Sequence, residues 1–278
     1  MQETLWFDQF TWLIFLMPFL GLLAAGLSKR QNPVIRGQRV LRHDAPARVS
    51  HWSHALGTMM LLVSGIVLGT RFTPSFVTGD NSATWFNVHF VFALLFLFGT
   101  FYWLGNTVIS RWRLREHLPT KHVVGYTLQH YGALLGIKSC HIPPEEKYFE
   151  SERAAFILAA AAAGLLVVSG IVKVLAHILN ISDPIMNAVT WVHDIAAAAM
   201  VLFFVAHVFF AAIAPFSWKT FPSMINGYVS LEQAKHEHGG WVEELEREAC
   251  VAPEPEGKDA PANASYATQG RKEGIEHV

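Results

Sequence analysis

Two histidines, His193 and His207, stand fourteen residues apart in one apolar run of the sequence. On an α-helix they share nearly the same face and lie roughly 21 Å apart along the axis. An imidazole in a lipid-spanning helix is costly, so two of them on one face indicate a function. The separation is too large for one metal ion. It suits two haems stacked across a bilayer, each of which takes one axial imidazole from this helix.

The composition is typical of a polytopic membrane protein. Of 278 residues, 52% are hydrophobic and 15% are charged, and the formal net charge of −1 gives no indication of nucleic-acid binding. The two cysteines, Cys140 and Cys250, lie outside the apolar runs, and no Cys-x-x-Cys-His motif is present. This excludes covalent c-type haem and an iron–sulfur cluster held by this chain alone.

Five apolar stretches are long enough to cross about 30 Å of hydrocarbon. They cover roughly residues 5–27, 51–70, 86–109, 154–179 and 188–215. The first is not a signal peptide by its flanks, since Glu3 and Asp8 precede its centre and Lys29 and Arg30 follow it. We therefore predict an all-α fold: a four-helix transmembrane bundle for two haems, with one extra N-terminal transmembrane helix.

Basic residues are concentrated in two connections, which predicts the topology. Segments 28–50 and 110–153 carry six and seven lysines and arginines, whereas the other two connections hold only Arg71 and Lys173. The positive-inside rule places both basic segments and the C-terminal region in the cytoplasm, and the N-terminus in the periplasm.

This topology sorts four histidines into two pairs by depth. His51 and His207 lie toward the inner side, and His89 and His193 lie toward the outer side. Each pair could hold one haem b iron as axial ligands, and a bis-histidine haem carries electrons rather than binding oxygen. His54, one turn after His51, is the alternative inner ligand.

The remaining histidines have no place in these pairs. His177 lies near the outer interface without a predicted partner, and loop and tail positions predict solvated surface for His43, His117, His122, His130, His141, His236, His238 and His277.

A short repeat links the second and fourth apolar stretches. LLVSGIV at 61–67 recurs as LVVSGIV at 166–172. Its Ser-Gly pairs are small enough for close approach of either a neighbouring helix or a flat porphyrin, and both interpretations stay open.

The chain divides into five predicted regions. The extra helix occupies 1–30, the basic connection 31–50, the haem-binding core 51–215, an amphipathic cytoplasmic tail 216–250, and a terminus with little to bury 251–278. The last region has the composition of a disordered segment.

Several of these residues resemble the cytochrome b (gamma) subunit of membrane-bound formate dehydrogenase, within the wider bacterial di-haem and nickel-hydrogenase cytochrome b family. The resemblance covers roughly residues 40–247 and is most specific in the tail. It is carried by Arg48-Val-Ser-His51-Trp52 with Ser64-Gly65-Ile66, His89, Val192-His193 through Ala206-His207, Ser223-Met-Ile-Asn-Gly227, Ala234-Lys-His-Glu-His238 and Trp241.

The resemblance implies a place in a larger complex of the bacterial inner membrane. It implies the same haem pairing, His51 with His207 and His89 with His193. Electrons would come from a periplasmic iron–sulfur (beta) subunit, fed by a molybdenum or tungsten catalytic (alpha) subunit, and leave to menaquinone or ubiquinone near the inner haem. No catalytic residue and no formate chemistry are expected on this chain, its surroundings are lipid, and a higher oligomer of the complex stays open.

One stretch departs from the family pattern. The family has a Lys-Tyr-Asn-x-Gly-Gln-Lys-like segment whose asparagine helps to bind quinone, and here residues 147–153 read KYFESER. Phe149 cannot donate that hydrogen bond, so the quinone pocket is rebuilt, moved or lost. The candidate quinone residues are Lys147, Tyr148, Glu152 and His207.

Three alternatives remain. The cytochrome b subunit of a membrane-bound nickel–iron hydrogenase shares the haem histidines. A histidine-lined metal transporter would need its ligands within about 2.0–2.2 Å of one ion, which the fourteen-residue spacing opposes. A membrane anchor without cofactor is the third.

Overall fold

A computed structural model describes residues 4–134, 136–140 and 145–251, most of which are helical. The helices are α1 (Trp6–Gln9), α2 (Leu13–Leu27), α3 (Ala45–Leu68), α4 (Asp80–Trp103), α5 (Val123–Leu134), α6 (Glu150–Leu175), α7 (Asp183–Val208), α8 (Ser223–Asn226), α9 (Leu231–Glu237) and α10 (Gly239–Val251). The strands are β1 (Ile35–Arg36), β2 (Arg39–Leu41) and β3 (Tyr228–Ser230). Turns of π-helix extend α4 to Ile109 and α7 to Ile213. The predicted disordered segment beyond Val251 lies outside the described residues, as do His141 and His277.

Four helices are long and apolar enough to cross a membrane, which confirms the predicted all-α polytopic class. They are Ala45–Leu68, Asp80–Ile109, Glu150–Leu175 and Asp183–Ile213, with 24 to 31 residues each. A rise of 1.5 Å per residue makes each of them at least about 36 Å long, which exceeds the hydrocarbon thickness. We call the end of the bundle that meets residues 28–44 the inner end, and the end that meets residues 69–79 the outer end. Both names follow the predicted topology.

The second predicted span begins earlier than residue 51. Asp44 caps α3 by accepting a hydrogen bond from the Ala47 amide at 3.0 Å, and Pro46 occupies the first turn. A capping carboxylate and an early proline are strong helix-start signals. His51 is therefore held inside a formed helix rather than at its fraying end.

The N-terminal span, predicted as one helix over 5–27, is broken into α1 and α2. α2 has 15 residues, about 22 Å, so it does not cross the bilayer alone. The whole segment does follow α4 in depth: the Trp6 amide donates to Asn87 Oδ1 at 2.7 Å, and Arg30 Nε donates to Asn106 Oδ1 at 3.0 Å. Asn87 and Asn106 are about 28 Å apart along α4.

The extra segment also supplies the partner that sequence analysis did not find for His177. His177 Nδ1 lies 3.1 Å from Asp8 Oδ1, and its ring packs edge-on against Phe7 with centroids 4.7 Å apart. The expectation of an unpartnered His177 was wrong because α1 lies against the outer end of α6.

A small lobe at the inner end was missed by the sequence analysis, which treated 31–50 as a connection. β2 pairs antiparallel with both β1 and β3, with Val40 opposite Val229. The lobe has its own buried core of Val40, Val229, Ala234, Trp241, Val242 and Leu245. The predicted amphipathic tail is therefore folded against the start of the chain, with the apolar face of α10 turned to the sheet.

Packing within the membrane region joins the helices in two hairpins. α3 packs on α4 and α6 packs on α7, while α2 lies on α4. A buried cluster with Phe90 and Leu97 of α4 and Ile171 of α6 joins the hairpins in the outer half.

Gly21 gives a test of the contact between α2 and α4. A Cβ at Gly21 would lie 2.6 Å from the Phe98 carbonyl oxygen, whereas a Cβ at Gly26 of the same helix would meet nothing within 4 Å. We expect Gly21→Ala to lower the stability of the protein in detergent by about 1–3 kcal/mol, the usual cost of overpacking. Gly26→Ala is the matched control and should be neutral or slightly stabilising in thermal unfolding. Equal behaviour of the two variants would contradict this packing.

Candidate functional site

The two histidines of α7 lie in one uninterrupted helix. α7 runs from Asp183 to Val208, so His193 and His207 are about 21 Å apart, as the spacing predicts. The structure places the other two histidines of the predicted pairs at the same two depths.

The outer pair is held by serine hydroxyls from the neighbouring helices. His89 Nδ1 lies 2.8 Å from Ser64 Oγ, and His193 Nδ1 lies 2.9 Å from Ser169 Oγ. Each hydroxyl also donates to the carbonyl four residues earlier, of Met60 at 2.7 Å and of Leu165 at 2.6 Å. The serine oxygens therefore accept from the imidazole Nδ1–H, which leaves each Nε2 unprotonated and able to bind a metal.

The glycines of the repeat lie against the same two rings. A Cβ at Gly65 would be 3.7 Å from His89 Cε1, and one at Gly170 would be 3.6 Å from His193 Cε1. Each copy of the repeat thus seats one outer histidine through its Ser-Gly pair. The two imidazoles are near enough to interact electrostatically.

The structure brings the two imidazoles of the inner pair close together. The ring centres of His51 and His207 are 6.1 Å apart. Two imidazoles that bound one metal from opposite sides at about 2.0–2.1 Å would have their centres roughly 6 Å apart, so this spacing would accommodate a shared iron. His207 also stacks on Phe203, with centroids 5.5 Å apart, yet the histidine is exposed on the protein surface. An imidazole exposed at this depth is costly in lipid, so a group that covers it would stabilise the fold.

His54, the alternative inner ligand, points elsewhere. Its Nε2 lies 3.1 Å from Thr100 Oγ1, and its ring packs against Phe96 of α4. The structure brings His51, and not His54, to His207.

The two histidine pairs fit haem better than a bare metal ion. Within the described ranges no group of three or more His, Cys, Asp or Glu side chains could hold a metal ion. Haem brings four ring nitrogens of its own and needs only two axial ligands from the protein. The inner pair offers two neighbouring imidazoles, and the outer pair offers two Nε2 atoms left unprotonated by their serine contacts, so both pairs fit that requirement.

Residues 42–227 of the sequence match the family model of prokaryotic cytochrome b561. The chain belongs to the prokaryotic cytochrome b561 family. It is therefore an integral membrane protein that binds haem b and transfers electrons. No curated protein matches the chain significantly.

The family match covers the central part of the chain and leaves out both of its ends. The N-terminal segment lies before residue 42, and most of the tail that carries the formate dehydrogenase resemblance lies after residue 227. The match thus supports the wider cytochrome b family and leaves the formate dehydrogenase assignment open.

Two of the predicted quinone residues belong to a buried polar network at the inner end. Lys147 Nζ lies 2.9 Å from Glu116 Oε2, and the Lys147 carbonyl accepts from Arg42 Nη2 at 3.0 Å. Tyr148 Oη lies 3.5 Å from His43 Nδ1. Both side chains therefore support neighbouring groups.

Glu152 is the predicted quinone residue that reaches the inner pair. It accepts a hydrogen bond from the Phe149 amide at 3.0 Å and lies 3.7 Å from Arg42 Nη2. Its carboxylate also interacts electrostatically with His207. Half of its side chain remains exposed, so it can contact a ligand.

Phe149, which replaces the asparagine of the resembled family, is packed between imidazoles. Its ring stacks on His238 with centroids 4.5 Å apart and contacts His130 with centroids 4.4 Å apart. The His238 imidazole is in turn fixed by a contact of 2.7 Å between its Nδ1 and the Glu146 carbonyl.

Three histidines expected on solvated surface are buried instead. His43, His130 and His238 are at most 7% exposed. Burial, and then the charge of Arg42, lowers the pKa of His43 and of His238 well below the usual range. His43 also lies close enough to His51 for electrostatic interaction, so it belongs to the candidate site. The sequence Asp44-Ala-Pro is a helix-start signal, and it could have indicated that His43 directly precedes α3.

Glu145 supplies a titrating group beside this network. It is 2% exposed, its Oε2 accepts from the Glu150 amide at 3.1 Å, and burial raises its pKa to about 7. Oε1 is buried without a hydrogen-bond partner in the described part of the chain.

Replacing Glu145 tests this protonation. Between about pH 4.5 and 7 the unfolded carboxyl ionises while the folded one stays protonated, so the free energy of unfolding falls as the pH rises. A pKa that is higher by one in the folded state corresponds to a loss of about 1.4 kcal/mol. We expect Glu145→Gln to remove this pH dependence in thermal unfolding, whereas exposed Glu244→Gln keeps it. Parallel curves for Glu145→Gln and the parent would contradict the raised pKa.

Proposed function

We propose that this cytochrome is the di-haem b subunit of a membrane-bound formate dehydrogenase complex. It carries electrons from a periplasmic iron–sulfur subunit to quinone near the cytoplasmic side. The observation that carries the proposal is the presence of two histidine pairs about 21 Å apart along α7. The inner pair adjoins two polar groups, the buried His43 and the half-exposed Glu152.

The histidines would hold two haem irons. His89 and His193 would be the axial ligands of the outer haem, and His51 and His207 those of the inner haem. Two axial imidazoles give a low-spin iron that exchanges one electron at a time. Ser64 and Ser169 orient the outer imidazoles and hold their protons on Nδ1.

The inner end is the proposed quinone side. Glu152 interacts with His207, and His43 interacts with His51, so both polar groups adjoin the inner pair. Tyr148 contacts His43 directly. The Lys147 carbonyl accepts a hydrogen bond from Arg42, which in turn lies beside Glu152. Menaquinone and ubiquinone both have carbonyl oxygens that such groups can recognise.

The tail supports the formate dehydrogenase form of this function. Its resembling residues build the inner lobe: Gly227 accepts from the Arg42 and His43 amides at 2.8 and 3.1 Å, and Trp241 fills the lobe core. The tail thereby fixes the position of His43. The partners we propose are the iron–sulfur (beta) and molybdenum or tungsten (alpha) subunits.

The cytochrome of a nickel–iron hydrogenase is the second candidate. Its support is the extent of the family match, which covers the four histidines and ends at residue 227, before most of the tail. The two candidates share the haem core and differ in the electron donor.

Histidine variants test the two haem sites. A pyridine haemochrome assay should find two b haems per chain. We expect His89→Ala to remove only the outer haem and His51→Ala only the inner one, because each pairs with a different end of α7. His54→Ala is the control and should keep both, since His54 bonds Thr100. One haem in the parent protein, or loss of haem in His54→Ala with retention in His51→Ala, would refute the assignment.

The donor is tested in the purified native complex. Formate should reduce both b haems within the turnover time of the complex, and hydrogen should not. The copurified subunits should then include a molybdenum or tungsten protein. Reduction by hydrogen alone, with nickel in the preparation, would select the hydrogenase candidate.

A further inference from the structure

Lys173 is a cation inside a membrane-spanning helix, and it forms no ion pair with any described residue. It lies in the last turn of α6, and its one hydrogen bond is a long contact of 3.4 Å from Nζ to Thr190 Oγ1. Within the described part of the chain no carboxylate oxygen lies within 4.0 Å of it. A charged side chain at such a position is costly and usually marks a functional contact.

The ammonium group lies within electrostatic range of the outer histidine pair. Lys173 follows Ser169 by four residues and so lies one turn further out on the same face of α6. Ser169 bonds His193, and Lys173 itself interacts electrostatically with both His193 and His89.

The repeat shows that helix packing does not require a lysine here. SGIV is followed by Leu68 in α3 and by Lys173 in α6, at the same place in the two copies. Both copies hold an outer histidine through their serine. Leucine satisfies the packing in the first copy, so the lysine of the second adds a charge that the shared structure does not need.

Arg71, the other cation of the outer connections, has a different role. Its amide donates to Asp194 Oδ2 at 3.0 Å, its guanidinium donates to Asn187 Oδ1, and it lies over the Trp191 ring at 4.7 Å. These contacts tie the loop after α3 to α7. Asp194 also attracts Lys173 electrostatically, although its carboxylate forms no ion pair with the ammonium within 4.0 Å; its Oδ2 accepts from the Arg71 amide. The two outer cations therefore differ: Arg71 is fixed by several contacts, whereas Lys173 has one long hydrogen bond in the described part of the chain.

We propose that Lys173 binds a propionate carboxylate of the outer haem and that its charge raises the reduction potential of that haem. The inference rests on the proposed outer haem site. A porphyrin edge with two carboxylates is the anionic group that would adjoin this histidine pair. At low dielectric an ammonium pairs strongly with such a carboxylate, and a nearby positive charge favours the reduced iron.

Three variants in the full complex test this role. Lys173→Leu copies the first repeat, Lys173→Arg keeps the charge, and Thr190→Val removes the hydrogen-bond partner of the lysine. In potentiometric titrations followed at the b-haem bands, Lys173→Leu should lower the outer potential and leave the inner one unchanged. A tenfold change in the reduction equilibrium corresponds to about 59 mV for one electron. Lys173→Arg should restore most of the shift, and Thr190→Val should resemble the parent.

Haem with esterified propionates provides an independent measurement. In the complex reconstituted with the dimethyl ester, Lys173 has no carboxylate to bind, so Lys173→Leu should not weaken retention of the outer haem, whereas with ordinary haem it should. The proposal is overturned by an unshifted outer potential in Lys173→Leu, by an equal shift of both haems, or by a Thr190→Val variant that reproduces the shift. It is also overturned if Lys173→Leu weakens retention of the ester as much as it weakens retention of ordinary haem. Should Lys173→Leu lose the outer haem, retention in Lys173→Arg supports the proposal and loss in both overturns it. Absence of an outer haem from the parent would instead refute the proposed function.

Discussion

A polar side chain at membrane depth must find a partner, and this constraint organises the whole cytochrome. Five imidazoles lie within the spans, where water cannot hydrate them. The outer two are bonded by serine hydroxyls, and the inner two face each other at 6.1 Å. His54 finds Thr100 instead. His54 therefore serves packing between α3 and α4, whereas the other four are the axial ligands that we propose.

The internal repeat provides the partner of each outer histidine in the same way. In each helical hairpin the first helix supplies Ser-Gly and the second supplies a histidine, so α3 seats His89 and α6 seats His193. Because the unit occurs twice, the two hairpins hold their outer imidazoles in equivalent ways. The copies diverge one turn further out, at Leu68 and Lys173, and that difference makes the outer site asymmetric in charge.

The sequence was sufficient for features with a strong local signal. Four of the five predicted spans followed from hydropathy and length, which depend on neighbouring residues alone. The inner lobe did not follow, because strands of two or three residues are held by pairing between residues 39–41 and 228–230, far apart in sequence. The same long-range pairing buries His43 and His238, and α1 gives His177 its partner. Loop position alone could not indicate those environments.

The two ends of the bundle place their histidines in different electrostatic surroundings. At the outer end the imidazole protons are fixed by Ser64 and Ser169, so these rings are not positioned to exchange protons. At the inner end His51 Nδ1 is buried without a hydrogen-bond partner in the described part of the chain, and Glu152 adjoins His207. Electron transfer needs no proton, whereas reduction of a quinone consumes two. Fixed imidazoles at the outer end, and a half-exposed carboxylate beside the inner pair, fit the direction that we propose, from the outer pair to quinone at the inner pair.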